Sequence, residues 1–146
     1  MIAIDTNVLL RYLLQDDEKQ AIQASQLILG SEKVLITDVV LIETVWTLKG
    51  RRYNLNKDKV IQVIHALFAE PNLVFEDSQA VWAALKDFTN AKPIKAGGKT
   101  KRADFPDALV INKAKRHAQR NKLNLTSVFT FDKAAQEIEG MIEPHC

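Results

Sequence analysis

Residues 2–14 read IAIDTNVLLRYLL, and apart from Asp5, Thr6, Asn7 and Arg11 every one of them is apolar or aromatic. A short run, residues 2–4, stops at an aspartate, and an apolar segment begins directly after it. This is the pattern of a strand that feeds a helix. The carboxylate in the middle is the anomaly, because burying it unpaired costs several kcal/mol or forces it to take up a proton. Asp5 is therefore expected to meet a cation, a set of hydrogen bonds or water at a strand end.

The same alternation recurs along the chain. Residues 34–36, 73–75 and 128–131 are short apolar runs, each followed by a residue suited to starting a helix: Thr37 and Asp38, Asp77 and Ser78, and Asp132. Between them, Ala21, Ile22, Ala24, Ser25 and Ile28 mark one helical face. Val60, Ile61, Val63, Ile64, Leu67 and Phe68 mark a second, and Val81, Trp82 and Leu85 a third. Strands that alternate with helices pair in parallel through right-handed crossovers. The expected fold is α/β, a three-layer α/β/α sandwich with a parallel four- or five-stranded sheet, in a single domain over residues 1–146. Residues 50–56, GRRYNLN, read as a helix stop and a link. Residues 92–103, KPIKAGGKTKRA, lack an apolar period and read as a basic surface loop.

The 146 residues, 47% hydrophobic and 26% charged, suit one domain with a full core. No apolar run approaches the ~20 residues of a membrane span, and no signal peptide opens the chain, so a soluble cytoplasmic protein is expected. The single cysteine, Cys146, excludes an internal disulfide framework or a thiolate metal cluster. The net charge of +2 is unevenly spread: residues 88–131 hold ten basic residues and two acids, Asp104 and Asp107. That segment carries half of the chain's basic residues in under a third of its length. Charge alone fits equally a solvated helix face with a basic loop.

In open α/β sheets, ligands bind beyond the carboxyl ends of the strands. Asp5 and Asp132 each follow a strand. Glu43 lies five residues after Asp38, the expected cap of the helix that follows the second strand, and its neighbours are almost all apolar, so it too is expected in a mainly buried setting. In ADFPDALVINKAK, residues 103–115, Pro106 suits a first helical turn, and Asp104 and Asp107 share a face at the helix N-terminus. Taken singly, Asp104 and Asp132 are natural helix caps and Glu43 a salt-bridged surface residue. Together, four segments bring an acid to the same expected sheet edge. Clustered carboxylates need a cation, and oxygen donors without Cys or His suit Mg²⁺ or Mn²⁺. Such an ion favours phosphodiester hydrolysis, and the basic segment then suits the nucleic-acid backbone.

The segments IAIDTNVLLRYL, LIETVWTL, ADFPDALVINKAK and FTFDKAA resemble, in order and spacing, the four acidic motifs of the PIN-domain ribonucleases, particularly the VapC-like toxins of toxin–antitoxin pairs. The resemblance implies a parallel sheet flanked by helices, an Mg²⁺-dependent endoribonuclease, a homodimer and a small VapB-like antitoxin partner. Carried over by position, Asp5, Glu43, Asp107 and Asp132 are the catalytic acids. Asp5 and Asp107 are the main metal ligands, with Asp104 as an additional candidate. Glu43 orients or deprotonates the attacking water, and Thr6, Asn7 and Thr130 supply supporting hydrogen bonds. Lys99, Lys101 and Arg102 are the expected RNA contacts.

Other motifs fail. GGKT at residues 97–100 lacks the first glycine and preceding strand of a phosphate-binding loop. His65, His117 and His145 lack metal-ligand spacing, and Trp46 and Trp82 sit among apolar helical positions as core or interface residues. Two rival functions stand beside the nuclease. An aspartyl phosphatase using Asp5 as nucleophile would want a second acid two residues on, where Asn7 stands. A non-catalytic RNA- or partner-binding module would carry the same fold.

Overall fold

A computed structural model describes residues 1–145, so Cys146 lies outside the described residues. The chain forms two compact units, Met1–Ser78 and Gln79–Cys146.

The first unit holds a parallel sheet of β1 (Ile2–Ala3), β2 (Val34–Ile36) and β3 (Leu73–Phe75), in that order. Ile2 pairs with Val34, and Val34 with Leu73, so the three strands run in step. The crossovers are helical: α1 (Thr6–Leu14) and α2 (Glu18–Ile28) join β1 to β2, and α3 (Asp38–Lys49) and α4 (Lys57–Ala69) join β2 to β3. Each of these helices begins at a capping side chain: Asp5, Asp17, Thr37 and Asn56 accept from Val8, Gln20, Val40 and Lys59 N–H respectively. Thr37, rather than Asp38, caps α3, because the chain turns helical one residue earlier than the acid suggests. The core gathers Leu9, Ile28, Val34, Ile36, Leu41, Leu48, Ile64 and Leu67, all fully buried. Ile28, Ile64 and Leu67 are inward residues of the periodic stretches read from the sequence, and Val34 and Ile36 belong to its second apolar run.

The second unit contains α5 (Ser78–Asn90), whose first residue is the boundary residue Ser78, then β4 (Ile94–Ala96), β5 (Lys99–Lys101), α6 (Phe105–Arg120), β6 (Val128–Phe129), a 3-10 turn at Ala135–Glu137 and β7 (Met141–Ile142). β6 and β7 pair in parallel, Val128 with Met141 and Phe129 with Ile142. The core is built around the edge-to-face pair Phe88 and Phe105, with ring centres 6.1 Å apart. Ala84, Leu85, Leu109, Ile111 and Ile138 are buried with them. Asn112, also buried, donates to Asp87 Oδ2 and to the Ala108 carbonyl, both at 2.8 Å.

The segment read as a loop is instead an antiparallel hairpin, with Ile94 opposite Lys101 and Ala96 opposite Lys99. Its turn is Gly97–Gly98, at φ +58° and +76°. Two positive φ values in a two-residue turn match the twist of a hairpin, and glycine adopts them without steric cost. The apolar period is missing because β5 is exposed at every position. This geometry also disposes of the phosphate-loop reading of GGKT.

The strands expected at residues 2–4, 34–36, 73–75 and 128–131 are all present. Hydrogen bonds join three of them in one parallel sheet and the fourth to β7 in a separate parallel pair. Both tryptophans were expected in a core or an interface; neither is in the core, Trp46 and Trp82 both being exposed. Among the described residues no helix is long and apolar enough to cross a membrane.

Candidate functional site

Asp5 resolves the opening anomaly by position. It is exposed at the end of β1, where its Oδ1 accepts from Val8 N–H at 3.0 Å and caps α1. A strand end leaves the carboxylate in water while its neighbours enter the core. Glu43 is also exposed, despite the apolar residues around it in sequence. On α3 Leu41, Thr44, Val45 and Leu48 turn inward, and Glu43 takes the opposite face.

The two acids meet around one cleft. Thr6 Oγ1 donates to Glu43 Oε1 at 3.3 Å, which ties the first residue of α1 to α3. Thr47, one turn beyond Glu43, donates its hydroxyl to the Glu43 backbone carbonyl at 2.8 Å. Asp5, Thr6, Asn7, Leu10, Glu43 and Thr47 line an open cleft of about 380 Å³. Thr47 was not anticipated as a lining residue; its spacing of four from Glu43 is the signal that would have found it. The outer oxygen of Asp5, Oδ2, takes no hydrogen bond among the described residues.

In the second unit, Asp104 and Asp107 form a reciprocal cap at the start of α6. The Asp104 side chain accepts from the backbone N–H of Asp107, and Asp107 Oδ2 accepts from the backbone N–H of Asp104 at 2.9 Å. Pro106 occupies the second helical position, as its spacing predicts. Both acids are half-buried. Asp132, exposed after β6, accepts through Oδ1 from Ala134 N–H at 2.8 Å and Ala135 N–H at 3.2 Å. Thr130 Oγ1 accepts from Asp132 N–H at 3.0 Å, so the threonine braces the acid's own backbone. No α-helix follows Asp132; these bonds hold the backbone that leads into the 3-10 turn at Ala135–Glu137, whose N-cap is Ala134. Lys99 and Lys101 stand on one face of the hairpin, both exposed, and Arg102 follows them into solvent.

Among the described residues no group of three or more His, Cys, Asp or Glu side chains forms a metal cage. Mg²⁺ ordinarily keeps several waters and takes one or two carboxylates together with substrate phosphates. Asp5 and Glu43, with the hydroxyl and amide oxygens of Thr6 and Asn7 on the same cleft, supply hard oxygen donors alone. The first unit's residues fit a divalent cation of this kind.

No curated protein matches the chain significantly. A solved toxin–antitoxin complex from Klebsiella pneumoniae is similar over 99% of this chain and 98% of its own, at 16% identity and a TM-score of 0.33. The family model described as the PIN domain matches residues 2–141, nearly the whole chain. The chain belongs to the PIN domain family.

Proposed function

We propose that the protein is a metal-dependent endoribonuclease that hydrolyses RNA phosphodiester bonds as the toxin of a toxin–antitoxin pair, and that its two units make one domain. PIN domains are generally nucleases and typically use divalent metal ions. The observation that carries the reading for this chain is the cleft at the end of β1, where Asp5 and Glu43 face one open space through the Thr6 bridge.

In this reading, carried over from the sequence motifs, Asp5 and Asp107 would be the principal ligands of Mg²⁺ or Mn²⁺ and Asp104 an additional one. When bound, the ion supplies positive charge to the phosphorane-like transition state and makes the attacking water more acidic. Asp5 keeps one oxygen on its helix cap and leaves the other for the cation. Glu43 accepts the proton of the attacking water through the oxygen that Thr6 does not hold. The water oxygen bonds to phosphorus as the bond to the departing ribose oxygen breaks. Asp132 completes the acidic set, with Thr130 fixing its backbone. Asn7 contributes a neutral amide beside Asp5. Its identity disfavours the aspartyl-phosphatase route, since an amide cannot protonate a leaving group. Lys99, Lys101 and Arg102 hold the RNA backbone.

A second copy of the chain and a VapB-like antitoxin are the proposed protein partners. On α3, Val39 is 66% and Trp46 58% exposed, seven residues apart on one stripe that Glu43 shares. Two large apolar side chains left exposed on one helix stripe suit an interface, and a second copy would provide one.

The test is cleavage of a mixed RNA pool by the purified full chain with Mg²⁺, with Mn²⁺ and with EDTA, beside Asp5→Asn. Metal-dependent cutting that the variant lacks is the expected result. RNA binding without cutting under any metal would overturn the nuclease in favour of a binding module.

A further inference from the structure

A second concavity of about 280 Å³ opens between α1 and α2, and Asp5 and Asn7 line it as well as the acidic cleft. One carboxylate therefore stands on the shared edge of two recesses. Resting on the nuclease reading, we propose that this second recess holds one unpaired nucleobase of the RNA, next to the phosphodiester addressed by Asp5.

Three features of the recess suit a base. Its wall is apolar where Val8, Ala24 and Leu27 meet, and the polar groups on it are three amides, one guanidinium and, at the shared edge, the Asp5 carboxylate. An apolar lining with a small number of placed polar groups is the usual make-up of a small-ligand site, and the volume falls just under the range of such sites. It suits one planar ring rather than an extended chain.

Arg11 supplies the second feature. Its Nε donates to Gln20 Oε1 at 2.6 Å and its Nη1 to Asp16 Oδ1 at 3.1 Å, so the guanidinium is held as a fixed plane on the recess wall. Guanidinium planes and aromatic rings are the platforms on which unpaired RNA bases stack. Fixing the plane beforehand removes the rotamer cost of forming that stack.

The amides supply the third. Because Gln20 spends its oxygen on Arg11, its NH₂ group is left to donate. Gln23 makes no hydrogen bond among the described residues, so both its oxygen and its NH₂ can read a base edge. Neither glutamine belongs to the acidic set, and neither was singled out by its sequence context.

The recess would thus select the base beside the cut while the acids act on the phosphate. The test uses the full chain and three variants outside the acidic set, Gln23→Leu, Arg11→Lys and Leu27→Trp. Binding of the single-stranded hexamers A6, C6 and U6 is measured in EDTA, and cleavage of a random RNA pool in Mg²⁺ is mapped by sequencing. Wild type should rank the three hexamers and cut with a fixed base preference at one flanking position. Arg11→Lys and Leu27→Trp should weaken binding of the preferred hexamer about tenfold, the cost of losing one stacked base. Gln23→Leu, at an exposed position, should level the ranking and broaden the flanking preference.

Wild-type ranking and unchanged cut preference in all three variants would overturn the base subsite and leave the nuclease standing. A recess made for a protein partner would give that result. Ranked binding sensitive to the variants, without cutting under any metal, would overturn the nuclease and leave the base site.

Discussion

Thr6 Oγ1 and Glu43 Oε1 lie 3.3 Å apart, and their hydrogen bond joins the first turn of α1 to the exposed face of α3. The partners are 37 residues apart in sequence, so the bond reports tertiary structure rather than a local cap. In the proposed mechanism it leaves the other oxygen of Glu43 to take a proton. Thr6→Val keeps the branched shape and removes the donor. We expect cleavage to fall about tenfold, equivalent to ~1.4 kcal/mol of transition-state stabilisation. The melting temperature should hardly move, because the bond is exposed to water. Thr6→Ser, which restores the hydroxyl, should recover most of the loss; single-turnover kinetics beside thermal melting measures both.

The helix cap that Asp5 makes and the metal-binding role proposed for it can be separated by substitution. Asparagine retains an oxygen for Val8 N–H, so Asp5→Asn should melt close to wild type while losing metal-dependent cleavage. Asp5→Ala removes the cap as well, which costs ~1 kcal/mol of stability. Equal stability of the two variants would show that the Val8 contact contributes nothing to folding. Asp107, whose carboxylate accepts from Asp104 N–H at the head of α6, should divide in the same way between Asn and Ala.

These double roles explain why the sequence was legible in some places and opaque in others. The strand-to-helix turns were readable because each unites a short apolar run with a capping residue, as in residues 2–14. The positions of the acids at those turns were readable too, but a cap and a metal ligand would require the same residue at the same place, so sequence alone could not weigh the two. Exposure was misjudged at Glu43, where nearly every neighbour is apolar yet α3 turns that one side chain outward. The hairpin at residues 94–101 was missed because a ribbon solvated along β5 shows no alternation of polarity. Only its Gly97–Gly98 pair marked the turn.

Asp16 should make the fold acid-sensitive through a group remote from the acidic cleft. Desolvation pushes its carboxyl upward, but the hydrogen bond and charge of Arg11, with further bonds from its own backbone N–H and from Tyr53, outweigh this and hold it below the usual value of 3.8. A carboxyl depressed by folding stabilises the native state at pH above its unfolded value and loses that contribution as pH falls through the folded value. Between pH 6 and 8 the contribution is constant; below about pH 4 it drains away. Asp16→Asn should therefore melt lower than wild type at neutral pH, with the gap closing toward pH 2. A gap that stays constant across that titration would mean that the Arg11 contact does not favour the charged form.

The basic hairpin offers a test of RNA contact that is independent of catalysis. Lys99 and Lys101 project from one face of β5, and neither contributes to either core. Lys99→Gln and Lys101→Gln should each weaken RNA binding uniformly across sequences and reduce the slope of log K against log salt by about 0.7–1, the release of one counterion. The melting temperature and the base preference at the cut should not change. An unaltered salt slope in the double variant would remove the hairpin from the RNA path.

Trp46 tests the proposed pairing of two copies. More than half of its surface is exposed on α3, on the stripe that also carries Val39, while the opposite side of the helix packs into the first unit's core. Trp46→Glu places a charge where the isolated chain is already solvated, so the fold itself should lose less than about 0.5 kcal/mol. In a dimer the same charge would be buried without a partner, a cost that breaks the assembly. Sedimentation at micromolar concentration should therefore show wild type as a dimer and Trp46→Glu as a monomer with unchanged helical content. A wild-type monomer, or a variant that stays dimeric, would mean that this stripe is not the contact between copies. The apolar surface of α3 would then be left for the antitoxin, which a small partner helix laid along Val39 and Trp46 would satisfy.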